Sequence, residues 1–296
     1  MTRRGLAVTA ALGSAGAVAV AYGGLVERNA FVLRRCDVPI LAPGSRSLRA
    51  LHISDVHMRP DQRRKQRWIA ALADLEPDFI INTGDNLGSA LAVPALLATF
   101  DAFAGIPAAF VLGSNDYYAP TPKNPFKYFF PGHKRIVGKP NPWRELVAGM
   151  TDRGWIDLTN RRTTITIRGR TVALAGVDDP HLGNDDRTVP RRPADPDADL
   201  RVALVHAPEP RVLSAYAAAG YQLIAAGHTH GGQLRVPFYG ALVTNCGIDR
   251  PRARGLHRYD EAWLNVSAGL GTSPYAPVRF SCRPEASLLT LVARTE

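Results

Sequence analysis

Five polar clusters in this chain each close a short apolar run, and no other feature restricts the fold as much. They are Asp55-Val56-His57, Gly84-Asp85-Asn86, Gly113-Ser114-Asn115-Asp116, Val205-His206-Ala207 and Gly227-His228-Thr229-His230-Gly231-Gly232-Gln233. Runs of this kind read as buried strands when stretches of helical periodicity separate them, and that alternation defines an α/β layered fold. Strands are expected at 48–53, 79–81, 109–112, 164–167, 171–175, 201–205 and 223–226, with 263–266 and 288–292 in the tail. Helices are expected at 61–75, 93–103, 142–153 and 211–219. Trp68, Ile69, Leu72 and Leu75 supply the 3.6-residue period in the first of these, and Pro94 opens the second. Every polar cluster then falls just past the carboxyl end of a strand, where open α/β sheets collect their ligands.

At 296 residues, with 46 % hydrophobic and 21 % charged content, the chain can bury a large single core. The formal charge of +10 favours anionic partners such as phosphates, nucleic acid or acidic lipid headgroups. The three cysteines, Cys36, Cys246 and Cys282, show no Cys-x-x-Cys spacing, so a thiolate zinc site is not expected; one disulfide, between Cys246 and Cys282, is open to the chain. Any metal must be held by His, Asp and Asn.

The N-terminus reads Thr2-Arg3-Arg4, followed by an uncharged stretch over 5–26 rich in Ala, Gly and Val. About 22 residues at helical rise just cross a ~30 Å hydrocarbon layer. The paired arginines, weak hydrophobicity and Ala-x-Ala triplets also describe a twin-arginine export signal. Residues 1–27 are therefore expected to be a signal peptide or membrane anchor of a membrane-bound or exported protein, with one catalytic domain over 48–294.

Taken singly the clusters are weak; a lone His206 reads most simply as a hydrogen-bonded core histidine. Five in order, each at a strand exit, carry more. Carboxylates and imidazoles gathered so densely need a cation to pair them. Asp85, alone behind Gly84, suits a bridging carboxylate whose two oxygens span ions ~3.5–4 Å apart. Asp55 and His57, two residues apart, can grip one ion. Nitrogen and oxygen ligands without thiolate suit two divalent ions of manganese, iron or zinc.

The order Asp-x-His, Gly-Asp, Gly-(x)-Asn-Asp, His, Gly-His-x-His resembles the calcineurin-like metallophosphoesterases over about 48–291. The likeness is to the exported branch of UDP-2,3-diacylglucosamine pyrophosphatase-like phosphodiesterases, on Gly227 to Gln233, Pro237 and Arg283-Pro284-Glu285. It implies a four-layer α/β/β/α sandwich. It also implies Asp55, His57 and His230 on one ion, Asn115, His206 and His228 on the other, with Asp85 shared. The implied reaction is attack of a metal-bridging hydroxide on a phosphodiester or pyrophosphate, with Asn115, Asp116 and His206 as catalytic candidates. The family's usual third cluster is Gly-Asn-His-Asp/Glu, and here it is Gly113-Ser114-Asn115-Asp116. Either Asn115 reaches the metal through a shifted loop, or Ser114 takes the ligand position. The usual acid is missing in both cases, and Asp116, His133 and His181 are the substitutes on offer.

Residues 117–142 form a long aromatic and basic flap that includes Tyr117, Tyr118, Phe126, Tyr128, Phe129, Phe130 and Arg135. With the apolar N-terminus it favours a lipid-linked or envelope phosphoester over polynucleotide. The alternatives are a polynucleotide nuclease, which the +10 charge would serve, and a non-catalytic phosphate- or lipid-binding protein whose site has lapsed.

Overall fold

A computed structural model describes residues 16–122, 137–236 and 238–294. Among the described residues, fourteen strands build two six-stranded sheets and a small hairpin. The first sheet takes β1 (Val32–Leu41), β2 (Leu48–Ile53), β3 (Phe79–Asn82), β4 (Ala108–Phe110), β5 (Trp155–Asp157) and β14 (Glu285–Ala293) in the order β1-β14-β2-β3-β4-β5. The second takes β6 (Arg161–Ile167), β7 (Arg170–Gly176), β8 (Leu200–Val205), β9 (Leu223–Ala226), β12 (Gly255–Tyr259) and β13 (Ala262–Val266) in the order β12-β13-β9-β8-β7-β6. Strands β10 (Arg235–Val236) and β11 (Gly240–Ala241) pair with each other alone. In each sheet four consecutive strands run parallel: β2 to β5 in one, and β13, β9, β8 and β7 in the other.

Alternation along the strands sorts the side chains into three apolar layers. Ala50, Phe79, Ile81, Ala109, Leu174, Val202, Leu204 and Leu223 fill the space between the two sheets. Leu51, Ile53, Ile80 and Phe110 face the other way, onto helices α1 (Arg63–Ala70), α2 (Val93–Phe100) and α4 (Trp143–Thr151) through Ile69, Leu96 and Leu146. A one-turn helix, α3 (Ser114–Tyr117), follows β4. On the far side Ala203, Val205, Ile224 and Ala226 pack against Val212, Leu213 and Tyr216 of α5 (Pro210–Ala218). Helix, sheet, sheet, helix is the expected four-layer sandwich. Strands covered on both faces read as near-continuous apolar runs, as β9 does throughout and β3 does up to the hydrogen-bonded Asn82, and both are buried at every position.

The sheet starts earlier than the expected boundary at residue 48. β1 pairs with β14 along its length. Arg34, Arg35, Asp37 and Pro39 hide it in the sequence, and they are tolerated because β1 is an edge strand, where a missing N–H and outward charges do no harm. The first two helices are shorter than expected, each passing into a 3₁₀ turn, at Ala71–Leu75 and Asp101–Phe103. All three cysteines are free thiols, so the Cys246–Cys282 disulfide is absent. Of the expected leader, residues 16–25 are helical, and residues 1–15 lie outside the described residues. Among the described residues no helix is long and apolar enough to cross a membrane.

The flap expected at 117–142 is described only at its ends, and Phe126, Tyr128, Phe129, Phe130, His133 and Arg135 lie outside the described residues. Those ends are zipped together: Tyr118 bridges Pro140, and Ala119 N–H donates to Lys139 O at 2.8 Å.

Candidate metal centre

Five parallel strands aim their carboxyl ends at one place. β2 delivers Asp55 and His57, β3 delivers Asp85, β4 delivers Asn115, β8 delivers His206, and β9 delivers His228 and His230. Asp55, His57 and His230 present ligand atoms all within 4.8 Å of one another, and so do Asp55, Asp85 and His206. Asp85 stands between the two sets. Its Oδ2 is 3.5 Å from His57 Nε2, and its Oδ1 is 3.5 Å from His206 Nε2. His206 Nε2 lies 3.3 Å from His228 Nδ1, and His57 Nε2 lies 3.2 Å from His230 Nε2. Asn115 reaches Asp85 twice, through its backbone N–H at 2.7 Å and its side-chain amide at 2.6 Å. The seven residues named from the sequence therefore converge, and Asn115 rather than Ser114 bonds the central carboxylate.

The backbone bends sharply to do this. Asp55, His57, Asp85, His228 and His230 all have φ between 42° and 67°. Left-handed geometry costs non-glycine residues of order 1 kcal/mol or more each, and it persists only where the surroundings enforce it. Close approach also requires glycine at two points. A methyl at Gly113 would overlap Asp85 Oδ1 and His206, and one at Gly227 would overlap Ser54 Oγ and Asp55 Oδ2.

Electrostatics suit cation binding. Burial pulls His57 down to about 4 and holds His228 and His230 well below the usual imidazole range, so their lone pairs are free near neutrality. His206 is also buried, but Asp85 beside it outweighs that effect and lifts it well above its ordinary value; Asp85 is held low in turn, against its burial, by His206 and His57. Acceptors fix the ring tautomers. His206 Nδ1–H donates to Thr83 O at 2.7 Å and leaves Nε2 for the site, while His228 Nε2 faces Asn245 O at 3.3 Å and leaves Nδ1. Neutral imidazoles converging on two carboxylates and an amide form a donor set that fits hard-to-borderline divalent ions.

Asp116 needs correction as a catalytic candidate. It is fully buried. Its Oδ2 accepts from Asp85 N–H at 2.8 Å and Gly113 N–H at 2.9 Å, and its Oδ1 from Asn86 N–H at 2.7 Å and Leu87 N–H at 3.2 Å. Both oxygens are committed to tying the Asp85 loop to the Asn115 loop, so Asp116 is placed to position ligands. His133 lies outside the described residues. His181 does reach the centre: its ring sits 4.5 Å from that of His228.

Several supporting groups escaped the sequence reading. Asn265 donates to His52 Nδ1 at 2.7 Å, His52 Nε2–H to Thr83 Oγ1 at 2.9 Å, Thr83 to Ser54 Oγ at 2.7 Å, and Ser54 to Asp55 Oδ2 at 2.6 Å. The relay crosses from the second sheet to the first and fixes Asp55. Arg279 is wholly buried; its guanidinium donates to the carbonyls of Ala268 at 2.7 Å and Gly271 at 2.7 Å and lies 3.3 Å from His230 Nδ1. Only Ser54, beside Asp55, carried a hint in its position.

Two expectations follow. Ser54→Ala should weaken metal affinity by about 10–100-fold, the usual effect of removing an outer partner, with the fold unchanged by circular dichroism. Competition against a chromogenic chelator measures it, and unchanged affinity would remove the relay from any role at the centre. The second concerns acid. Burial lowers His52 to about 3, so between that value and 6.5 the unfolded chain binds a proton that the folded one refuses. Stability from this group is complete above 6.5 and falls as pH drops, by ~1.4 kcal/mol per unit. Unfolding free energies of metal-free wild type and His52→Gln, from denaturant titrations between pH 6 and 4, should diverge by that slope; parallel pH dependences would refute it.

Two mixed sheets present a buried His/Asp/Asn cluster, able to hold divalent ions, at their shared carboxyl edge. A family model of the calcineurin-like phosphoesterases matches residues 48–232, and the chain belongs to that family. It is 32 % identical over 145 residues to the uncharacterized metallophosphoesterase YkuE of Bacillus subtilis (strain 168), covering 48 % of each chain. It is 33 % identical over 136 residues to the phosphodiesterase YaeI of Escherichia coli (strain K12), covering 46 % of this chain and 47 % of YaeI. The matched stretch thus spans about half the length of these two relatives. Among solved structures it is similar to the 5'-nucleotidase precursor of Thermus thermophilus, with TM-score 0.42 and 12 % identity over 84 % of this chain and 55 % of that one.

Proposed function

We propose that this phosphoesterase is a dinuclear-metal phosphodiesterase acting on phosphodiester or pyrophosphate bonds of a lipid-linked or envelope substrate. The observation that carries the dinuclear reading is Asp85, with one oxygen toward His57 and the other toward His206. Asp55, His57 and His230 would hold one ion, Asn115, His206 and His228 the other, and Asp85 both. When bound, such a pair supplies Lewis-acid activation of water near neutral pH and neutralises charge on phosphorus-bound oxygens.

The chain's own part is to keep His57, His228 and His230 unprotonated by burial, to aim His206 through Thr83 and His228 through Asn245, and to hold Asp85 in place through Asn115 and Asp116. His181, at the mouth beside His228, takes the position of donor to the leaving oxygen. A pyrophosphate or diester with a good leaving group needs little help from it. The identity with YaeI, a phosphodiesterase, supports a diester over a monoester. Arg3-Arg4 ahead of the uncharged 5–26 stretch supports an extracytoplasmic, membrane-associated setting.

Metal-loaded protein should turn over bis-p-nitrophenyl phosphate and cleave lipid-linked nucleotide pyrophosphates faster than plasmid DNA. Preference for DNA with a steep salt dependence would make it a nuclease. Two bound ions without turnover would make it a binding protein.

A further inference from the structure

Among the described residues, exposed large apolar side chains are clustered. Among the described residues all but Leu91 and Val137 fall in three stretches, 18–26, 234–242 and Tyr275. Phe238 stands at 112 % relative exposure at the turn between β10 and β11, with Tyr239 beside it at 56 %. On the helical residues 16–25, Val18, Tyr22 and Leu25 are exposed, while Gly23 is buried against Val278 and Arg279.

The three stretches form one face. Arg279 N–H donates to Gly23 O at 3.2 Å, Arg235 N–H to Phe280 O at 2.9 Å, and Gln233 Nε2 to Ala276 O at 2.8 Å. A cleft of about 440 Å³ involves Tyr22, Arg34, Arg254, Phe280 and Arg283. A second, of about 390 Å³, involves Arg235, Phe238, Tyr239, Arg250 and Arg254. Arg254 and Ser281 belong to both, so the clefts adjoin and connect Tyr22 with Phe238.

Charge indicates the occupant. Arg235, Arg250, Arg254 and Arg283 form no ion pair among the described residues, whereas Arg34 is paired with Glu285. Arg250 lies over the Tyr239 ring, 4.8 Å from its centroid. Aromatic and aliphatic side chains beside guanidinium groups that have hydrogen bonds but no carboxylate partner among the described residues match the boundary between acyl chains and anionic headgroups. Glu27, the acid at the first cleft, has its oxygens taken by the Ser281 and Cys282 N–H groups. The face adjoins the metal centre, because Gly231 and Gly232, both left-handed, turn the chain from His230 toward this hairpin.

We propose that this face docks on an anionic bilayer surface, with Phe238 and the exposed side chains of residues 18–26 in the acyl boundary and the four arginines on lipid phosphates. The proposal rests on the membrane setting above but not on the reaction, and the test keeps the two apart.

Full-length Phe238→Trp is mixed with phosphatidylglycerol/phosphatidylcholine vesicles whose acyl chains are brominated. Its added emission should be quenched, while that of Ser47→Trp, at the opposite end of the sheets before β2, should not. Arg250→Gln/Arg254→Gln should bind these vesicles at least tenfold more weakly than wild type, and added salt should narrow the gap. Turnover of bis-p-nitrophenyl phosphate should be unchanged in all three variants, and loss of turnover in wild type would count against the enzyme reading alone. Vesicle binding without quenching at 238 would overturn the proposal, because residues 1–27 would then carry attachment by themselves. Equal affinity for neutral vesicles would overturn it too, as would a dimer that Phe238→Ser converts to monomer.

Discussion

Asp85→Asn should lower turnover of bis-p-nitrophenyl phosphate by about 10³-fold or more, well beyond the ~10–100-fold of an outer-partner change. The substitution keeps shape and removes charge. One amide oxygen cannot serve both His57 and His206 as the two carboxylate oxygens do, at 3.5 Å each. Metal content should fall from two ions per chain to one or fewer, read by elemental analysis after gel filtration. The metal-free protein offers an independent readout. Asp85 is the main group raising His206 against its burial, so without it the ring should lose its proton at a lower pH than in wild type. Histidine titration by NMR follows that change without any turnover. Retention of two ions and full activity would remove Asp85 from the centre.

Asp116→Ala should cost about 4 kcal/mol or more of stability. Four backbone N–H groups, of Asp85, Asn86, Leu87 and Gly113, lose their acceptor in a fully buried place. Each such orphan costs roughly 1–3 kcal/mol. The thermal midpoint of metal-free protein should drop by about 10 °C, with part recovered in Asp116→Asn, which keeps one acceptor. Activity should fall as well, because the Asp85 and Asn115 loops come apart, but the acid limb of the pH–rate profile should keep its midpoint. A variant that melts normally and loses only that limb would restore Asp116 as the proton donor.

The two kinds of residue differ in how well the sequence displays them. His206 was legible because it ends an apolar run in series with four other clusters, and strand ends are fixed by local pattern. Ser54, Thr83, His52 and Asn265 were not, because each is an ordinary polar residue near a strand. Their relay exists only once β13 of the second sheet lies against β9, across from β2. Arg279 was equally hidden: an arginine in a tail loop reads as solvated until the fold closes carbonyls around it. β1 escaped because edge strands carry the charges and proline that central strands exclude.

The sequence by itself determined the layered α/β class, the strand exits and the identity of the seven residues gathered at them, since hydrophobic period and turn chemistry act over a few neighbours. Only the tertiary structure decided that Asp116 is a brace, that His181 overlies His228, and that apolar side chains from 18–26 and 234–242 share one face. Those facts depend on contacts between loops well separated in sequence: Asp116 with the loop after β3, His181 with the loop after β9, and both residues 18–26 and the hairpin at 234–242 with the loop around Arg279 and Phe280. Such segments carry no local record of which partner they meet.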